Sequence, residues 1–241
     1  MNITSRQNDL IKQFKKPGES IVIEGVKLIT DALDAGLSLQ YLLFTEKNKN
    51  RLKIPGTVIS DDLSEYISDT KTPQGIFAMF ERRERHVDFK KAKRIILLDC
   101  VQEPGNVGAI LRSCEAFGFD GVFLSENSAD VYSPKVFRAS AGSVLRLPIQ
   151  KKPLTEIIPL LKKSGFFIYA SALDENAVSL NQLDISEKTA VVIGNEGKGV
   201  SKEVLNLCDN KLYIPIKGAE SLNAGVAAGI ICYVLGKYKG M

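Results

Sequence analysis

Short, fully apolar runs separated by stretches of helical periodicity organise most of this chain. RIILLDC predicts a strand over 95–98 that ends in Asp99. In PGNVGAILRSCEAFGF, Val107, Ile110, Leu111, Cys114 and Phe117 recur at helical spacing, with Gly118 as a stop. Asn106 stands where it could cap that helix. Downstream, the pattern predicts strand GVFL, a helix near 134–139, strand LRLPI, helix PLTEIIPLLKKSG, and strands FFIYASA and TAVVIG. A short helix after Ser201, strand KLYIPI and a last helix from about Ser221 complete the series. Strands that are apolar throughout and alternate with helices imply an α/β fold, with a parallel sheet covered on both faces. Ligands of such sheets bind beyond the carboxyl ends of the strands. Three of those ends carry polar or glycine-rich loops: DCVQEPGNVG, GNEGKG and IPIKGAESLNAG.

Residues 1–80 also alternate between α and β patterns. VIEGVKLITDALDAG places Val26, Ile29, Ala32 and Leu33 on one helical face before Gly36. YLLF, TVIS and GIFAMF are short β-like runs. The charged run ERRERHVDFKKAKR then breaks the apolar pattern, so the expected organisation is a small domain over 1–80, a charged linker over 81–94 and a larger domain over 95–241.

Charge sharpens that division. Of the net +4, residues 1–94 carry all of it, with 17 Lys+Arg against 13 Asp+Glu, and the remainder of the chain is neutral. A basic first part can meet a polyanion such as RNA, and it can equally be a solvated linker with scattered lysines. The four cysteines show no metal-ligand spacing and lie in apolar segments, as expected of buried free thiols in a reducing cytosol. The longest apolar run, 222–235, is interrupted by Asn223 and two glycines and is too short to cross a bilayer, so neither a membrane nor a metal partner is expected. With His86, in the charged run, as the one histidine, a histidine-based triad is not expected.

The three loops carry the candidate chemistry. In VVIGNEGKGVS, Gly194 and Gly199 have P-loop spacing, but Lys198 precedes the second glycine and Val200–Ser201 follow it. Glu196 would repel a phosphate, so the turn suits a cationic or neutral ligand. Arg112 lies on a helix whose apolar stripe is complete without it, which allows a surface role or a catalytic one. Ser221, Leu222 and Asn223 open a helix rich in small residues, which fits close packing but leaves the polar Ser-x-Asn entrance unexplained.

VQEPGNVGAILRSCEAFGFDGV, VVIGNEGKGVS and IPIKGAESLNAGVAAGI together resemble, in order and spacing, the three motifs of the SpoU/TrmH family of RNA 2′-O-ribose methyltransferases, within the SPOUT superfamily. FKKPGESIVIEGVKLITDAL and SDTKTPQGIFAMF resemble the L30e-like substrate-binding domain of ribosomal-RNA members. The resemblance implies a SPOUT-type parallel sheet with a C-terminal deep trefoil knot, S-adenosylmethionine (SAM) as cofactor, and a homodimer with active sites completed across the interface. Its substrate would be ribosomal RNA, with transfer RNA or a non-catalytic RNA-binding dimer as alternatives. By position, it assigns Gly194, Ile214 and Leu222 to the cofactor. It assigns Asn106, Arg112, Glu196, Ser221 and Asn223 to the catalytic and RNA-facing group, with Arg112 as general base; because a guanidinium is a poor proton acceptor, an electrostatic clamp on phosphate is the alternative role for Arg112. Motif three departs from the family's usual Ser-Leu-Asn-Val-Ser, because Ala224 and Gly225 replace Val-Ser.

Overall fold

A computed structural model describes residues 2–172, 174–218 and 221–236. The chain divides into two compact units, residues 1–83 and 84–241. The first is built as β1 (Asn2–Ile3), α1 (Asp9–Lys15), β2 (Ser20–Glu24), α2 (Val26–Asp34), β3 (Leu39–Thr45), β4 (Thr57–Ile59), α3 (Asp61–Ile67) and β5 (Ile76–Glu81). Its mixed sheet runs β1-β4-β3-β5-β2, with β5 antiparallel to both β2 and β3 and the remaining pairs parallel. Ile11 and Phe14 of α1 and Leu63 and Ile67 of α3 cover Leu43, Ile59, Phe77 and Met79 of the sheet. Both helices start on local chemistry. The Asn8 side chain accepts from Leu10 N at 3.0 Å, the Ser60 hydroxyl accepts from Leu63 N at 3.3 Å, and acidic residues fill each first turn.

The second unit continues with β6 (Arg94–Leu98), α4 (Pro104–Ala116), β7 (Gly121–Leu124), α5 (Pro134–Ser140), β8 (Ile149–Lys151), α6 (Leu154–Lys163), β9 (Phe167–Ser171), β10 (Val178–Ser179), β11 (Thr189–Ile193), α7 (Lys202–Leu205), β12 (Asn210–Tyr213) and α8 (Ala224–Leu235). All seven strands are parallel, in the order β10-β12-β9-β11-β6-β7-β8. Leu154, Ile157, Ile158 and Leu161 of α6, with Val200 and Val204, cover one face through Ile95, Leu97, Ala190, Val192 and Ile168. Alternate strand residues Ile96, Leu98, Val191 and Ile193 are equally buried on the opposite face, as the period of two requires. α4 packs against both α5 and α8. This double burial is why the strands read as unbroken apolar runs.

Four expectations are corrected. Asn106 does not cap α4: Pro104 opens the helix, and Glu103 is the cap, its carboxylate accepting from Gly105 N at 3.4 Å. LRLPI is not a strand. Residues 143–145 form a single 3-10 turn, and β8 starts at Ile149, because Pro148 has no N–H and serves only as acceptor for Val122 N. KLYIPI ends as a strand at Tyr213, two residues before Pro215. The last helix starts at Ala224, since Asn223 caps it with bonds from Gly225 N and Val226 N. The cysteines also differ from expectation: Cys114 and Cys232 are buried, 3.8 Å apart, while Cys100 and Cys208 are half-buried.

Residues 87–94, expected within a linker, are docked on the second unit. Val87 and Phe89 pack on its core and Ala92 is buried within it. Arg94 is largely spent on backbone. Its Nε donates to Leu235 O at 2.8 Å, and its Nη1 donates to the carbonyls of Lys93, Ser186 and Glu187 at 2.9, 3.2 and 2.7 Å. One guanidinium thus fastens the carboxyl end of α8 to the entry of β11, satisfying a helix-end carbonyl that has no intrahelical partner. Among the described residues, no helix is long and apolar enough to cross a membrane, and no group of three His, Cys, Asp or Glu is placed to hold a metal. Replacing Arg94 with Met should lower stability by about 2 kcal/mol, or about 4–8 °C in melting temperature, read by calorimetry. An unchanged melting temperature would contradict the fastening role.

Candidate active site

β6 and β11 are neighbours in the middle of the sheet, paired from Thr189↔Arg94 to Ile193↔Leu98. The loops leaving their carboxyl ends therefore start side by side. The loop after β6 leads into α4, the loop after β11 is the glycine-rich turn, and the segment after β12 leads into α8. Within that third segment, Ala219 and Glu220 lie outside the described residues.

A chain of side-chain hydrogen bonds joins the three. Asn106, buried on the first turn of α4, donates through Nδ2 to Glu196 Oε1 at 2.9 Å. Its Oδ1 accepts from Asn223 Nδ2 at 2.9 Å, and Asn223 Oδ1 accepts from Gly225 N and Val226 N at the start of α8. The shift from cap to third helical residue is what frees the Asn106 amide for this work. Glu196 also accepts from Glu103 N at 3.2 Å and Gln102 N at 3.4 Å. Partial burial opposes ionisation of Glu196. The Asn106 amide and the backbone N–H groups of Glu196 itself, Glu103 and Gln102 together outweigh it, so its pKa lies below the ordinary glutamate value.

The turn is held in shape by two residues that the sequence reading did not single out. Asn195 Oδ1 accepts from Gly197 N and Lys198 N at 3.0 and 3.1 Å, and its Nδ2 donates to Cys100 O at 2.8 Å. Cys100 sits at φ 57°, a left-handed conformation uncommon outside glycine, and its N–H is received by Ser125 Oγ at 2.8 Å. Buried Asp99 accepts from Ser201 N at 2.8 Å and so closes the far end of the turn. An asparagine followed by Glu-Gly-Lys-Gly is an Asx-turn signal, and that local pattern was the available clue to Asn195. Gly194 answers to the turn's own backbone: a Cβ there would stand 2.2 Å from Gly199 C and Val200 N. Gly225 has a similar but softer reason, since a Cβ would meet Asn223 Oδ1, Ala109 Cβ and Asn106 Oδ1 at 3.2–3.4 Å. The Ala224–Gly225 departure therefore accompanies a close approach of α8 to α4.

The remaining candidates are not drawn into this cluster. Arg112 is exposed, six residues and about 9 Å along α4 from Asn106. It makes no hydrogen bond or ion pair among the described residues. Ser221 is exposed, and Leu222 and Ile214 are half-buried; none of the three side chains bonds to Glu196, Asn106 or Asn223. The result is a carboxylate held ionised in a turn of exposed backbone, next to a helix that carries a guanidinium with no partner among the described residues.

Residues 93–233 match the model of the SpoU rRNA Methylase family, and residues 11–78 match that of the MRM3-like substrate binding domain. The chain is 32% identical over 250 residues to the 23S rRNA (guanosine(2553)-2′-O)-methyltransferase RlmP of Bacillus subtilis, covering 97% of this chain and 98% of that protein. It is similar to the AdoMet-bound rRNA methyltransferase from Sinorhizobium meliloti, with TM-score 0.87, 25% identity and coverage of 98% and 97%. It is also similar to the SpoU methyltransferase AviRb from Streptomyces viridochromogenes in complex with AdoMet, with TM-score 0.83, 26% identity and coverage of 95% and 97%.

Removal of the Asn106 amide tests the electrostatics. Asn106→Ala should raise the Glu196 pKa towards its ordinary value, followed as the carboxyl carbon titration by NMR. Because the native pKa is depressed, the stabilisation that Glu196 contributes is present above the unfolded pKa and is lost as pH falls through the folded one. In the variant that loss should start at the same pH, be smaller in size and be complete at a higher pH. An unmoved titration would assign the depression to the backbone donors alone.

Proposed function

The chain belongs to the SpoU family of RNA methyltransferases, and from that membership we propose that it transfers a methyl group from SAM to a ribose 2′-hydroxyl of ribosomal RNA. The observation that carries the site assignment is the ionised Glu196, held by Asn106 in a glycine-rich turn beside the α8 entrance. A fixed carboxylate disfavours a nucleoside triphosphate and suits a cation, so the residues present fit a sulfonium cofactor. Gly194, Ile214 and Leu222 would hold it, mainly through backbone groups. When bound, SAM supplies an electrophilic methyl group on a positively charged sulfur.

In this reading the chain's own residues divide the work. Arg112, whose guanidinium has no other partner among the described residues, clamps the phosphate beside the target ribose. It also stabilises negative charge as the 2′-hydroxyl develops alkoxide character. A guanidinium with a pKa above about 12 is a poor proton acceptor, which favours the clamp over the general base. Glu196 and Ser221 face the reaction side. Asn106 and Asn223 act by position: their amides are spent on Glu196, on each other and on the α8 N–H groups, which supports a holding role.

Two finer features belong to the same proposal. The C-terminal segment forms the family's trefoil knot. In support, β12 lies beyond β9 and β11 from β6, yet α8 returns to pack on α4, and Arg94 bonds both Leu235 O and the 186–187 backbone. The protein works as a homodimer. In support, Val226, Ile230 and Tyr233 share one face of α8 at 52, 37 and 56% exposure, an apolar stripe suited to a second copy.

Calorimetric titration with SAM and mapping of 2′-O-methyl sites on total RNA, with and without the protein, test the activity. SAM should bind, and one site in ribosomal RNA, sought first in 23S rRNA, should disappear with the protein. Arg112→Ala and Arg112→Lys should both lose at least about a hundredfold in kcat while still binding SAM. Full rescue by Lys at raised pH would remove the bidentate clamp. No SAM binding up to millimolar concentration would leave a non-catalytic RNA-binding dimer, and a lost site in tRNA would redirect the substrate. For assembly, sedimentation should show a dimer that becomes monomeric in Val226→Glu/Ile230→Glu; a wild-type monomer would overturn that part.

A further inference from the structure

The first unit contains a cavity of about 440 Å³ lined by Gln13, Pro17, Ser20, Gln40, Tyr41 and Met79. It lies where α1 ends and β2 begins, over the carboxyl-terminal part of β5. A break in register lies beside it. β3 pairs with β5 as Leu39↔Phe80 and then as Tyr41↔Met79, so Gln40 is an extra residue in the ladder. Such a bulge re-aims the side chains next to it. Just past it, Tyr41 stands 47% exposed at the head of a strand whose last four residues are all buried. Met79, 3% exposed, lies among the lining residues and is the buried, apolar one.

The polar lining is only partly used. Ser20 Oγ donates to Gln40 Oε1 at 2.9 Å, across the intervening strand β5. The Gln40 Nε2 and the whole Gln13 amide make no hydrogen bond among the described residues, so donors and an acceptor remain available around an exposed aromatic ring. The adjoining segment is cationic: Lys12 and Lys15 lie in the last turn of α1, Lys16 follows, and Arg82 donates to Gly18 O at 3.2 Å. The exposed carboxylates Glu19 and Glu81 also lie on this side, which leaves the ring and the amides, rather than net charge, as the recognition chemistry.

We propose that this cavity receives one unstacked nucleobase of the RNA substrate, stacked on Tyr41 and read along its edge by the amides of Gln13 and Gln40. An aromatic face, two amides and an apolar floor match how proteins hold splayed-out bases of single-stranded RNA, whereas a duplex presents no free base to such a cavity. The proposal rests on the RNA methyltransferase reading for its substrate class. It places a base contact within the matched substrate-binding domain, remote in sequence from the three motif loops.

The test uses the full-length protein and a fluorescein-labelled mixed-sequence 12-nucleotide RNA, single-stranded or annealed to its complement, with anisotropy read at fixed salt. Tyr41→Ala should weaken single-strand binding about tenfold or more, Tyr41→Phe should stay within about twofold of wild type, and duplex binding should not change. SAM titration of the same preparations should be unaltered. Equal single-strand affinity in Tyr41→Ala, or equal losses for strand and duplex, overturns the base pocket. Wild-type protein that binds no single strand overturns it as well. Failure of wild-type protein to bind SAM strikes the methyltransferase reading instead, and the Tyr41 comparison still decides whether the cavity takes a base.

Discussion

A nearly buried amide must satisfy its donor and its acceptor inside the protein, and the site depends on how Asn106 does so. The donor goes to Glu196 and the acceptor to Asn223. Those two bonds connect the start of α4, the turn after β11 and the start of α8, three places separated by 90 and 117 positions in the chain. The charge on Glu196, the cap of α8 and the closeness of α8 to α4 all pass through that one side chain. Loss of either partner would leave a buried polar group unpaired, which costs more than the bond itself contributes.

Two further devices make that meeting possible. Parallel pairing of β6 with β11 brings their following loops together before any side chain acts. Asn195 then ties the turn to Cys100 O, so the loop bearing Glu196 and the loop leading to Asn106 share one backbone framework. At the other end of the sheet, Arg94 does the matching task for α8 by taking the Leu235 carbonyl. The same helix–turn assembly carries the Glu196 carboxylate, fixed by Asn106, and the exposed Arg112, which has no partner among the described residues.

The sequence was most legible where burial is complete on both faces. RIILL, GVFL and TAVVI are strands because nothing but a doubly covered sheet accepts such runs, and the structure places them there. Legibility fell where local chemistry outweighed periodicity. α1 and α3 bury only two or three side chains each and rest on the Asn8 and Ser60 caps, so their apolar signal was too thin to read. The segment 145–149 looked β-like, but Pro148 without its N–H and the buried Leu145 and Leu147 in a turn gave a different outcome. Charge misled in a similar way: Val87, Phe89 and Ala92 inside the basic run are what dock it.

By itself, the sequence determined the α/β class, the order of most strands and helices, and the three polar or glycine-rich loops that match the family's motifs, because these follow from local periodicity and from motif residues adjacent in the chain. Only the tertiary structure decided that Asn106 is a bridge rather than a cap, that Gly194 yields to the backbone of its own turn, and that Asn195 and Asp99 hold the glycine-rich turn in shape. It also decided that a cavity lined by Tyr41 lies beside a register break in β3. Each of these depends on which atoms meet across long separations, and a hydrogen-bond partner 90 residues away leaves no mark in local pattern.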